Sequence, residues 1–122
     1  MMSTEQHGLP LGGEKCNVCE DATEALSPSR IAALFGSLDN GWRVVDGHHL
    51  ERKFKFSDFR RALAFTNVVG NLAEVEGHHP DILLSWGKVE IYIWTHSVDG
   101  LTRNDFVLAS KISRAYRQST DA

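Results

Sequence analysis

The chain has 122 residues, 42% of them hydrophobic and 24% charged, with a net charge of -3 at pH 7 and a pI near 6.0. That length fits one domain with one core, and the acidic balance excludes the broad basic surface that nucleic acid requires. No apolar run approaches the length of a membrane span, and no basic-then-apolar leader opens the sequence, so a soluble, cytoplasmic protein with no direct nucleic-acid or membrane partner is expected.

Residues 1–25 show little periodicity and read as a flexible N-terminal tail. The only cysteines, Cys16 and Cys19, lie there in CNVC. Two thiolates do not complete a four-ligand zinc site, and His7 stands at an arbitrary spacing, so a pair of reduced thiols is the simplest reading. Order begins at SPSRIAALFGSL. Ser27 suits an N-cap, Pro28 the first helical position, and Ile31, Leu34, Phe35 and Leu38 form one stripe, before Asp39-Asn40-Gly41 ends the helix.

WRVV and LERKFKF follow, separated by Asp46-Gly47-His48-His49. Asp-Gly between two such runs predicts a hairpin with a type I′ turn. His48 and His49 then belong at its tip or shoulder, where imidazoles are usually solvated. Leu50, Phe54 and Phe56 alternate with polar residues, and Arg52 shares their parity.

Ser57 reads as the cap of a long helix to Gly77. Phe59, Ala62, Phe65, Val69 and Leu72 form its buried stripe, widened by Leu63, Val68 and Val75. Gly77 suits the residue past the C-terminus, and Pro80 prevents continuation. ILLSW and VEIYIWTH then flank Gly87-Lys88 as a second hairpin. In its second strand Val89, Ile91, Ile93 and Thr95 face the core, while Glu90, Tyr92, Trp94 and His96 face away. A last helix starts at Thr102, where Asp105 completes a T-x-x-D box, and buries Leu108, Ala109, Ile112, Ala115 and Tyr116. Helix, hairpin, helix, hairpin, helix predicts an α+β domain over 26–117. Its two layers are a four-stranded antiparallel sheet and helices packed on one face, and a short tail follows over 118–122.

Gly-His-His occurs twice, at Gly47 and Gly77. The second triplet precedes Pro80, which pushes His79 toward extended backbone, so its two imidazoles leave a rigid corner in different directions. Glu74, one helical turn before His78, is placed to orient an imidazole. A strand end at His96 and a helix start at Asp105 can converge on the same corner. Singly, each residue has a plain structural explanation.

Together they resemble a family. E-x-x-x-H-H-P at Glu74 to Pro80, Trp86, W-T-H at Trp94 to His96 and G-L-T-x-x-D at Gly100 to Asp105 closely resemble pterin-4a-carbinolamine dehydratase. The likeness extends to Gly41-Trp42, to F-K-F-S-D-F at Phe54 to Phe59 and to L-A-S-K-I at Leu108 to Ile112. It covers most of the chain from about Leu26 to Tyr116. The resemblance implies a four-stranded antiparallel sheet with helices on one side. It also implies conversion of 4a-hydroxy-tetrahydropterin to quinonoid dihydropterin plus water, without metal or organic cofactor. The substrate is what an aromatic amino-acid hydroxylase leaves after turnover, and dimers or tetramers are expected.

Carried over by position, His78, His79 and His96 are the catalytic histidines, with Glu74 and Asp105 as acidic companions. His78-His79-Pro80 and Thr95-His96 line the pterin pocket. GHHL at Gly47 lies outside the pattern. Two other readings remain open: a metal-dependent enzyme using Glu74, His78 and His96, and a non-catalytic interaction or dimerisation module of the same fold.

Overall fold

The computed structural model describes residues 24–119. The proposed tail over 1–25 falls almost wholly outside this range, and Cys16 and Cys19 lie outside it. Helix α1 (Pro28–Phe35) leads to strands β1 (Arg43–Val45) and β2 (His49–Lys55). Helix α2 (Phe59–Glu76), strands β3 (Asp81–Ser85) and β4 (Lys88–Ile93), and helix α3 (Arg103–Gln118) follow. The strands form one antiparallel sheet in the order β1-β2-β4-β3, and the helices pack on one face of it. The architecture is the two-layer α+β fold read from the periodicities. Among the described residues no helix is long and apolar enough to cross a membrane.

The core lies between the layers. Leu50 and Phe54 from β2 and Val89, Ile91 and Ile93 from β4 meet Ala62, Phe65 and Val69 of α2 and Phe106, Leu108, Ala109 and Ile112 of α3. Arg52 shares the core parity of Leu50 and Phe54, and the fold accommodates its charge. Its guanidinium donates to Asp39 Oδ1 at 3.0 Å and to Ser113 Oγ at 3.2 Å, and lies 4.5 Å from the Phe54 ring centroid. A buried cation is tolerated when hydrogen-bonded and stacked in this way.

Local chemistry explains the element ends. Ser27 Oγ accepts from Arg30 N, and Pro28 occupies the first turn of α1, which stops at Phe35, earlier than the stripe predicted. Asp46 and Gly47 both take positive φ, 55° and 63°, and His48 N–H donates to Val45 O, as the type I′ expectation requires. The cap of α2 is Asp58 rather than Ser57: Asp58 has extended backbone (φ -161°) and its carboxylate accepts from Arg61 N at 2.9 Å. An ionised cap also meets the positive helix N-terminus, which a serine hydroxyl does less well.

Two further expectations need correction. Leu63, Val68 and Val75 do not widen the buried stripe of α2; they are exposed, as is Phe59. The stripe that reaches the core is Ala62, Phe65, Val69 and Ala73, because only one side of α2 meets the other elements. The second hairpin turns at Trp86-Gly87, so Lys88 belongs to β4, where it pairs with Ser85.

Candidate active site

Three segments converge at one end of the sheet, where β4 finishes. The first is the end of α2. Gly77 takes the left-handed conformation (φ 67°), which residues with a Cβ adopt at a cost, and its N–H donates to Ala73 O. This reversal turns the chain out of the helix, so that His78 points inward and His79 outward. The second is the end of β4, where Thr95 pairs with Gly100 around a short 3-10 turn, His96–Val98. The third is the start of α3, capped by Thr102 and closed by Asp105.

Asp105 is the hub. Its side chain is fully buried and every oxygen is used. Oδ1 lies 2.5 Å from His78 Nε2, while Oδ2 accepts from Thr95 Oγ1 at 2.9 Å and from Thr102 N at 2.8 Å. Thr95 Oγ1 spends its proton on Asp105, so the 2.8 Å contact with Thr102 Oγ1 takes its proton from Thr102. An ionised carboxylate only accepts, so Nε2 of His78 carries the proton, and the neutral ring keeps its lone pair on Nδ1. Glu74 plays the corresponding part for the other imidazole. Its Oε2 lies 2.6 Å from His79 Nε2, in a pair that is largely exposed.

The sequence had placed Glu74 beside His78. The left-handed turn at Gly77 reassigns the partners: Glu74 meets His79, and His78 is delivered to Asp105. His96 was expected on the outer face at the end of β4. It is exposed, with its ring centroid 4.5 Å from that of Trp94, but the strand closes at Ile93 and His96 opens the 3-10 turn just beyond it.

His78, His79 and His96 all border one cleft of about 240 Å³, together with Trp94, Thr95, Ser97 and Asn104. Glu74, Pro80 and Asp105 stand behind this lining. Ser97 and Asn104 were missed from the sequence. Asn104 precedes the capping Asp105 in the first turn of α3, and that adjacency was its only signal. Larger hollows lie between α2 and α3 (about 480 Å³) and beneath α1 (about 610 Å³), but neither gathers a histidine. Chemistry, more than size, singles out the smaller cleft.

The ligand set Glu74, His78 and His96 is not assembled as a unit, since Glu74 is turned to His79 and His78 to Asp105. Among the described residues no group of three or more His, Cys, Asp or Glu is arranged to hold a metal ion.

Residues 24–115 match the family model described as pterin 4 alpha carbinolamine dehydratase. A protein of Alkaliphilus metalliredigens, named as a candidate pterin-4-alpha-carbinolamine dehydratase, is 51% identical over 104 residues, covering 85% of this chain and 94% of its own. One of the same description from Rubrobacter xylanophilus is 47% identical over 104 residues, covering 85% and 96%. The fold is similar to the crystal structure of a transcriptional coactivator/pterin dehydratase from Brucella melitensis. That likeness has a TM-score of 0.69 at 33% identity and covers 75% of this chain and 97% of that one. By motif, fold and relatives alike, the chain belongs to the pterin 4 alpha carbinolamine dehydratase family.

Proposed function

We propose that this protein dehydrates a 4a-hydroxy-tetrahydropterin to quinonoid dihydropterin and water, with histidines as general acid and base. The observation that carries the reading is the meeting of His78, His79 and His96 on one cleft in a chain of this family. In a carbinolamine the hydroxyl leaves from the carbon beside an amine nitrogen. As the C–O bond breaks, the nitrogen lone pair forms the C=N bond, the leaving oxygen takes a proton and becomes water, and the nitrogen gives one up. One acid and one base suffice, and the reaction needs no redox partner.

Histidine serves both tasks, because its reference pKa of about 6.5 keeps both forms accessible near neutrality. His78 and His96 form the proton-transfer pair, and His79 binds and polarises the pterin. Asp105 fixes the tautomer of His78, presenting Nδ1 as the basic atom, and Glu74 does the same for His79. Thr95 acts through Asp105, and Pro80 holds His79 in its extended backbone. Such assistance is typically worth about 10²–10⁴-fold in rate.

The substrate is supplied by an aromatic amino-acid hydroxylase in the same compartment, which on this reading is the cytoplasm, and the protein self-associates as a dimer or tetramer. A second reading, an interaction module, draws on the paired description of the Brucella structure and on the apolar side chains of Phe59, Leu63, Leu83 and Trp86 left at the surface.

The test is the rate of carbinolamine dehydration by metal-stripped protein, with the pterin generated in place by a hydroxylase. Acceleration that persists with chelator is expected. No acceleration by folded protein would sink the enzymatic reading, and full kcat/KM in His96→Ala would remove His96 from the proton-transfer pair.

A further inference from the structure

The Gly-His-His triplet outside the family motif is built into the same corner of the molecule. Its histidines were expected to be solvated, yet both are half-buried. Their rings continue a line across the outer face of the sheet. Tyr92 and His49 have centroids 6.1 Å apart, His49 and Trp94 5.9 Å, and His48 and Trp94 5.4 Å. Trp94 in turn carries His96 at 4.5 Å.

A polar link runs alongside. His48 Nε2 lies 2.8 Å from Asp99 Oδ1, across 51 positions of sequence. Asp99 closes the turn that His96 opens: it takes the left-handed conformation (φ 50°), and its N–H donates to His96 O at 3.2 Å. The residue that His48 grips is therefore bonded to the backbone of His96.

Proton bookkeeping along this link gives one consistent arrangement. The Asp99 carboxylate only accepts, so His48 Nε2 carries a proton. In the neutral ring Nδ1 is then a lone pair, and the 3.0 Å contact between the two Nδ1 atoms is a bond donated by His49. His48 is thus held at both nitrogens and at its ring face.

We propose that His48 is a positioning residue for His96, holding the turn that carries it through Asp99 and through Trp94. The proposal rests on the reading above that His96 takes part in proton transfer. Among the residues that line the cleft, His48 meets Trp94 ring to ring, so its influence falls on the direction of the His96 imidazole. Small displacements of a reacting group are costly: a misplacement of about 1 Å can reduce a rate by about 10²-fold.

The experiment compares His48→Ala, His48→Gln and Asp99→Gly with the unmodified full chain. Glutamine keeps a donor near the place of Nε2. Glycine removes the carboxylate while suiting the left-handed backbone. In His48→Ala, kcat is expected to fall about tenfold with KM little changed, an intermediate loss for a partly freed group. Asp99→Gly should match it, and His48→Gln should restore most of the rate. The second readout is the imidazole NMR signal of His96, which should shift or broaden in the first two variants while that of His79 stays in place. Unchanged His96 signals and unchanged kcat in both His48→Ala and Asp99→Gly would overturn the proposal. If the unmodified protein dehydrates no pterin, the function falls, and the His96 signal alone still decides whether His48 positions it.

Discussion

Replacing Asp105 with asparagine tests the site's central bond without changing its shape. The carboxylate receives three donors, one on Oδ1 from His78 and two on Oδ2 from Thr95 and Thr102. An amide offers one accepting oxygen and one NH2. The backbone N–H of Thr102 cannot be turned away, so the amide oxygen settles at the Oδ2 position and the NH2 faces His78. His78 then has to present a lone pair at Nε2, which moves its proton to Nδ1 and removes the basic atom assigned there. A bond to a charged group, worth about 1.5–3 kcal/mol, becomes a neutral one worth about 0.5–1.5 kcal/mol, so the loss in stability is about 1 kcal/mol. For a domain of this size that lowers Tm by about 4–8 °C. The effect on rate is much larger: loss of a correctly protonated acid–base group places the drop in kcat at about 10² or more. Single-turnover dehydration gives the rate, calorimetry gives Tm, and nitrogen NMR of His78 reports the tautomer. A variant with kcat within about twofold of wild type and the His78 tautomer reversed would refute the argument, since Nδ1 would then have no part in the chemistry.

Two other expectations concern ionic groups away from the cleft. Tyr92 donates its hydroxyl to Glu90, and this bond, helped by desolvation, pushes its pKa up to about 12. Because the folded value lies above the ordinary one of about 10, the bond's contribution is complete below pH 10 and fades as pH rises toward the folded value. Tyrosinate absorbance should therefore show a late step at high pH, and Tyr92→Phe should remove it; a late step that survives in Tyr92→Phe would disprove the assignment. Glu90 is held below its usual carboxylate range by Tyr92 first and Lys88 second, so its contribution is lost only as acid carries the pH down through that lowered value. Lys111 Nζ lies 2.5 Å from Glu76 Oε2, and both side chains are largely buried between α2 and α3. Lys111→Met takes the cation away from this buried carboxylate and should lower stability in urea denaturation, whereas Glu76→Leu with Lys111→Met should recover most of the loss. Equal losses in the single and double variants would contradict this.

The order of elements was legible because strands and helices leave different periods, and the starts of α1 and α3 were legible because Ser27, Pro28 and the Thr102–Asp105 box are local signals. The extent of burial along α2 was less so: Leu63, Val68 and Val75 look like core in a helical projection, and only the number of neighbouring elements decides that they face outward. The site residues followed from a resemblance rather than from spacing. What spacing could not supply was partnership. Whether Glu74 meets His78 or His79 depends on a single left-handed residue, Gly77, which rotates everything after it. The bond from His48 to Asp99 joins positions so distant in sequence that no local pattern foretells it.

The two carboxylate–imidazole pairs differ in their exposure to water. His78 and Asp105 have side chains 10% and 0% exposed, whereas His79 and Glu74 are 60% and 76% exposed. Dissolved ions screen charges over about 8–10 Å in solution at ordinary ionic strength, and they reach exposed pairs far more effectively than buried ones. Added salt therefore loosens the grip of Glu74 on His79 while leaving that of Asp105 on His78 nearly intact. Ionic strength becomes a dial that turns one imidazole and not its neighbour, separating adjacent residues of a single motif without altering a covalent bond.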